Sequence, residues 1–400
     1  MRHVVRRGVL GVVALTMVTV GLSACVGQSN AGVSCAWGNV SNGDLLNVAY
    51  PDASATYFTT KYQLTPGQQM ILSGTYPFAR YMSLHTYTLT GAAVDHLADV
   101  SIAADAGSDN PFTNAAASTD PAQRRWTVSI SADTSPGSGT SYNALAAGSA
   151  PGSVANGSVI LRVYVPDTAG DLQGGVALPA MAIRNIDGTV TPVPTCAGPT
   201  PDGSVIDLIN TFGPATDVPA TDPPVFKRPV TVVGLYPNQD NAYLAAIAGY
   251  QPGKVVVIRG KSPTTPDTRN GVSPTVPSQL RYWSLCSNEY RKPYPVTDCG
   301  FDHQIPVDAN GFYTVVISTV AERPANALIG NGVYWLNWGN TSVDMVIGMR
   351  HMLPEASFTE AVQNLGLGQL AVPQMGAYAP VAVTCSISTF ESGGYTACGL

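Results

Sequence analysis

The stretch Arg80-Tyr81-Met82-Ser83-Leu84 recurs 201 positions later as Arg281-Tyr282-Trp283-Ser284-Leu285. Working outward from this pair, further matches appear in the same order. Tyr50-Pro51, Tyr57 and Pro66-Gly67 correspond to Tyr236-Pro237, Tyr243 and Pro252-Gly253, all displaced by 186. Asp95, Asp99 and Asp105 correspond to Asp298, Asp302 and Asp308 at 203, and Thr127-Val128 to Thr314-Val315 at 187. Arg162 and Pro166 correspond to Arg350 and Pro354 at 188. Offsets drift only where loops differ, and the order never breaks. Chance supplies one such match, not a series, so the chain reads as a duplicated unit.

Each copy reads as strands. Gln69 to Leu72 and Lys254 to Ile258 follow Pro-Gly turns. Arg80 to Tyr87 and Arg281 to Leu285 carry β-prone residues with aromatics at alternate positions. Thr127 to Ser131, Tyr313 to Ser318, Val159 to Val165 and Met345 to Leu353 are further short runs bounded by Gly, Pro or Asn. Short strands at even spacing predict an all-β chain of two tandem antiparallel, jelly-roll-like β-sandwiches with little helix. One helical stretch is expected, Phe358 to Leu365, with Ser357 as its cap. The expected division is 1–24 signal peptide, 25–44 tether, 45–197 first sandwich, 198–231 Pro-rich linker, 232–385 second sandwich and 386–400 tail.

The chain's beginning speaks to location. Arg2, Arg6 and Arg7 precede an uncharged apolar run, Val9 to Leu22, too short for the ~20 residues of a membrane-spanning helix. Leu22-Ser23-Ala24-Cys25 resembles the bacterial lipoprotein cleavage box, in which the cysteine thiol receives diacylglycerol. That resemblance implies an extracytoplasmic protein anchored to the cell membrane through lipid on Cys25, at ~0.8 kcal/mol per buried CH₂. Without the signal, 17 basic residues face 26 acidic ones, a formal −9. An acidic, lysine-poor surface argues against nucleic acid and against polybasic contact with anionic lipid.

Six cysteines follow Cys25, an even number that favours disulfides in an exported chain. Cys286 ends the Arg-Tyr-Trp-Ser-Leu strand and Cys299 follows a Pro-bearing turn, so the two would staple a hairpin. Cys196 and Cys385 are counterparts, each preceded by Thr and lying after an apolar-Pro-x-Met stretch. Cys35 is therefore paired with Cys196, and Cys385 with Cys398.

In the second copy the Tyr282-Trp283-Ser284-Leu285 strand precedes an Asp308-to-Gly311 turn and its strand. A Tyr334-Trp335-Leu336 loop follows, then an arginine strand ending at Pro354. This order resembles an uncharacterised bacterial envelope domain, and residues 236–366 carry it well. The first copy carries it weakly, with Met82 where Trp283 stands. The resemblance implies a β-sandwich and no particular chemistry.

By the repeat offsets Cys286 corresponds to His85 and Cys299 to His96, so the two histidines should face each other across one strand pair. With Asp95 and Asp99 nearby, they are candidate Zn²⁺ or Cu²⁺ ligands, against a reading as a plain cross-strand pair. Arg80/Arg281, Arg162/Arg350 and Asp99/Asp302 persist in both copies and read as buried pairs or donors to loop carbonyls. Tyr290, Tyr294, Tyr334, Trp335 and Trp338 are candidate rings for stacking on glycan or a partner protein, against core packing. No nucleophile elbow, zinc-protease or phosphate-loop motif occurs, and no catalytic residue or cofactor is assigned. His303 and His351, with Asp298, Asp302 and Glu355, form the one acid–base set to test.

The sequence thus leads to a membrane-anchored lipoprotein serving as a non-catalytic binding or structural module of the cell envelope. The alternatives are an enzyme acting on envelope glycan or lipid, and a metal-binding lipoprotein using His85 and His96.

Overall fold

A computed structural model describes residues 32–135, 137, 143–150, 152–198, 204–212, 218–230 and 235–400. The segment expected to be a signal peptide, and Cys25, lie outside the described residues. The first copy contains β1 (Asn39–Ser41), β2 (Ala55–Leu64), β3 (Gln69–Thr75), β4 (Ala79–Thr88) and β5 (Ala93–Ala98). It continues with β6 (Arg125–Ser131), β7 (Ala144–Ala146), β8 (Ala155–Pro166), β9 (Ala180–Arg184) and β10 (Val190–Val193). A helix, α1 (Ser204–Phe212), precedes the second copy. That copy contains β11 (Asn241–Ala248), β12 (Lys254–Lys261), β13 (Leu280–Glu289) and β14 (Val296–Phe301). It ends with β15 (Phe312–Ser318), β16 (Tyr334–Asn337), β17 (Met345–Pro354), β18 (Val381–Ser386) and helix α2 (Ile387–Ala397).

The two copies share one topology. The first has sheets ordered β1-β2-β8-β4-β5 and β10-β9-β3-β6-β7, and the second β11-β17-β13-β14 and β16-β15-β12-β18. Each β3 or β12 pairs antiparallel with β6 or β15, and each of those takes a short parallel neighbour, β7 or β16. The register agrees as well: Ser83 faces Arg162, and Ser284 faces Arg350. The chain is all-β in two sandwiches, as the duplicated pattern predicts.

Alternation explains how each sandwich closes. Along β2, Phe58, Thr60, Tyr62 and Leu64 turn inward while Lys61 and Gln63 face solvent, the period of a half-buried strand. They join Met70, Leu72, Val128 and Ile130 in the first core. The second core is built alike around Leu244, Ile258, Trp283, Val315 and Met349. Strands β4 and β13 break this alternation, being buried on both faces along almost their whole length. Met82 and Leu84 fill the core side, and Tyr81, Ser83, His85 and Tyr87 occupy the other, where the second copy covers them.

Several expectations need correction. Residues 33–44, read as tether, belong to the first sandwich: Trp37 is buried, and Asn39–Ser41 pair with β2 as a strand. The helix expected over 358–365 is a single 3₁₀ turn, Val362–Asn364, without a side-chain cap. Eight residues form too few turns to offset nucleation, and here the Val362 N–H goes to His351 Nδ1 instead. Both α-helices lie where none was expected. In the linker, α1 sets Ile209 against Val48 and Leu235, and in the tail α2 is capped by the Ser386 hydroxyl. The three disulfides are Cys35–Cys196, Cys286–Cys299 and Cys385–Cys398.

Candidate functional site at the junction of the copies

Polar chemistry in this charge-poor chain concentrates where the two copies meet. Just before β2 and β11, each copy sends a Tyr-Pro segment across the outer face of the other copy's sheet. The Tyr50 N–H donates to the Tyr294 carbonyl, and the Tyr236 N–H to the Gly91 carbonyl. In return Arg350 Nη2 donates to the Tyr50 carbonyl at 2.6 Å, and Arg162 Nη2 to the Tyr236 carbonyl at 2.7 Å. Both tyrosines have positive φ, 54° and 56°. This is a left-handed backbone that costs a bulky residue energy unless its surroundings hold it. The matching strain in both copies belongs to the crossing.

Two ion pairs cross the same boundary. Arg80 pairs with Asp302, and Arg281 Nη1 lies 3.2 Å from Asp99 Oδ1. Both carboxylates also accept backbone N–H groups, from Met82 and Val100 at Asp99 and from Trp283 and His303 at Asp302. Burial pushes the Asp99 carboxyl up to about 6, although Arg281 and the Met82 N–H oppose it. The repeated arginines and aspartates therefore do form buried contacts, and those contacts join the copies.

At the second-copy side, Asp52 enters from the first copy. It accepts the Tyr282 hydroxyl at 2.9 Å and the Ser284 hydroxyl at 2.7 Å, and lies 3.6 Å from Arg350 Nη1. At the first-copy side the equivalent of Asp52 is Asn238, and the acid has moved two residues on, to Asp240. Backbone contacts fix this equivalence: the Ser54 N–H donates to Asp52 Oδ1 and the Asp240 N–H to Asn238 Oδ1. Asp240 accepts the Tyr81 hydroxyl and lies 3.3 Å from His96 Nε2.

His85 and His96 do pair across β4 and β5, in the register that Cys286 and Cys299 hold across β13 and β14. Their rings stack with centroids 5.1 Å apart at 23°. His85 Nε2 accepts the Gln239 N–H at 3.2 Å, and its Nδ1 meets the Ser83 hydroxyl at 3.2 Å. Burial, with Arg162 and His96 beside it, holds His85 well below the usual histidine range. The hydrogen bond to Asp240 raises His96. A metal here would need His85 Nε2 released from Gln239. Of the acids named as neighbours, Asp95 instead accepts the Gly137 and Ala146 N–H groups, and Asp99 pairs with Arg281. Among the described residues, the one group of three ligand atoms within 4.8 Å is Asp52, Cys286 and Cys299. Those two sulfurs are already joined in a disulfide.

The aromatic candidates do not form one platform. Trp338 is buried in the second core, edge-on to Tyr250 at 5.7 Å. Trp335 donates from Nε1 to the Ser318 hydroxyl and lies under Arg323. Tyr334 packs over Gly300 and donates to the Cys299 carbonyl. Tyr294 lies tilted between Tyr50, at 5.0 Å, and Tyr290, at 6.3 Å, at the junction. The acid–base set is also dispersed. His351 is fully buried beside Phe358, with burial holding it down at about 3. His303 sits partly exposed between Asp267 and Asp302. Sequence reasoning missed Asp52, Asp240 and Asn238. The signal was the repeated Tyr-Pro dipeptide immediately before Asp52 and Asn238.

No family model matches the sequence, and no curated protein matches it. Solved structures are. An uncharacterized protein from Burkholderia cenocepacia is 12% identical at TM-score 0.50, covering 88% of this chain and 82% of that one. A protein from Vibrio parahaemolyticus is 11% identical at TM-score 0.41, covering 86% and 92%. At such identity the first likeness speaks for fold alone, and the second carries no argument.

Proposed function

We propose that this chain is an extracytoplasmic lipoprotein, anchored to the cell membrane through Cys25. Its two fused copies of an uncharacterised bacterial envelope domain serve as a non-catalytic binding or structural module. The observation that carries this reading is the thiol chemistry: all six cysteines after Cys25 are joined in disulfides. That state persists in oxidising compartments and is rare in the cytosol. The small-residue box before Cys25 supplies the anchor. The junction adds support for a structural role, since its charged groups are engaged with one another and with backbone.

The test is metabolic labelling with a palmitate analogue, followed by detergent phase partition. Wild type should carry label and enter the detergent phase, and Cys25→Ser should do neither. Unlabelled wild-type protein, or label retained by Cys25→Ser, overturns the reading. Pulldown with envelope glycan and envelope-protein fractions then identifies the partner class.

A further inference from the structure

The tether places one end of the first sandwich against the membrane. Gly32, the first described residue, packs on Gln63 near the end of β2. Only six residues lie between it and Cys25, seven steps of chain. Fully extended, they span at most about 25 Å. Whatever surface surrounds Gln63 is therefore held within that distance of the bilayer.

That surface is apolar at its tip. The β9–β10 hairpin turns here, and Ile186 at its tip is 82% exposed, the highest value for a large hydrophobic side chain among the described residues. It lies over the Pro66-Gly67 turn, in contact with Gly67. Val190, 53% exposed, pairs with Arg184 at the base of the same turn. Val154, 45% exposed, precedes the Ala155 that faces Leu64. The opposite end of β2 packs against the second copy, where Ala55 joins Tyr282 and Met352. A strand of ten residues is about 30 Å long, so that contact leaves the tip uncovered.

A single exposed isoleucine is ordinary. What gives this one meaning is its place beside the point where the lipid-bearing segment joins the fold. Charge separates two modes of contact. At the tip, Arg184 reaches Gln69, while Asp133 accepts the Gly67 N–H and Asp187 sits in the hairpin turn. With Lys61 further along β2 the charges balance, so attraction to anionic headgroups gives no net gain. The contact chemistry left is apolar insertion at the headgroup boundary.

We infer that the Ile186 hairpin rests in the bilayer interface. It would seat the first sandwich on the membrane and leave the second copy standing away from it. This rests on the lipoprotein reading. The test uses full-length lipidated protein in phosphatidylcholine–phosphatidylglycerol vesicles containing brominated acyl chains. Ile186→Trp is compared with Ile329→Trp, at a second-copy site 62% exposed. The emission added by each new tryptophan is its difference from wild type. For Ile186→Trp it should fall about twofold with bromolipid, as for a side chain 5–10 Å into the interface. Ile329→Trp should be unchanged, and added salt should not restore the emission. Equal quenching of the two, or quenching confined to Ile329→Trp, overturns the orientation while the anchor stands. Palmitate label is measured on the same samples, and its absence overturns anchor and orientation together.

Discussion

Arg80 of the first copy and Asp302 of the second form a buried ion pair, and Arg281 and Asp99 repeat it in reverse. A contact in which residue i meets j and j meets i is the mark of an isologous two-fold interface. The duplicated chain has kept that relationship within one polypeptide.

Removing one partner of such a pair strands a charge. Arg80→Ala should destabilise the protein by about 3–5 kcal/mol, because Asp302 is left buried without its cation. Arg80→Met combined with Asp302→Leu should cost much less than the single change, since no charge remains. Denaturant midpoints of the three proteins give the comparison. An Arg80→Ala protein as stable as wild type contradicts the burial.

The histidine pair offers a direct test of the repeat. His85→Cys/His96→Cys should form a disulfide on exposure to dissolved oxygen, which takes up the two electrons and two protons, because Cys286 and Cys299 bond in the same register. Intact mass should fall by two hydrogens, and thiol titration should find no free sulfhydryl. Two free thiols in the folded protein would place the strands out of equivalence.

Acid should weaken the second core through His351. Its folded value of about 3 lies below the unfolded 6.5, so the unfolded chain binds the extra proton between them. Stability is therefore lost as pH falls from 6.5 toward 3, by up to about 1.4 kcal/mol per pH unit. His351→Gln should flatten that part of the profile relative to wild type. His96 acts oppositely. Raised by Asp240, it stabilises fully below 6.5 and loses that contribution as pH rises through its folded value. Being partly exposed, it is worth at most about 1 kcal/mol, so His96→Gln should lower the midpoint slightly at pH 5 and not at pH 8.

Trp338→Ala should cost about 3–5 kcal/mol, as truncation of a buried tryptophan does. Thermal unfolding checks it. Any loss of glycan or partner binding in that variant would then follow from lost folding. Trp335→Phe, at a partly buried position, is the cleaner probe of recognition.

How much of this was legible from the residues varies with the kind of contact. The duplication showed because strand residues such as Tyr81/Tyr282 and Arg162/Arg350 kept their spacing while loops drifted. The copy each side chain faces could not be read. Pairing Arg80 with its own Asp99, or with Asp302, leaves the same repeated pattern, because a two-fold exchange maps one choice onto the other. The Tyr-Pro crossings were hidden for a related reason: each reads locally as a turn. Both helices were obscured by composition, α1 by a Pro- and Asp-rich setting and α2 by Gly393 and Gly394, which break its backbone geometry. Trp338 stands in a loop-like Trp-Leu-Asn-Trp-Gly stretch and still turned inward, since large apolar area is stabilised most by burial.

The exchanged lead-ins make the pair, not the half, the smallest heritable piece. Recombination that delivered one half alone would uncover Tyr81, His85 and Tyr87 along a bare aromatic strip. Such a fragment would recruit its own twin, so the fused gene reads as the permanent record of what was once an encounter.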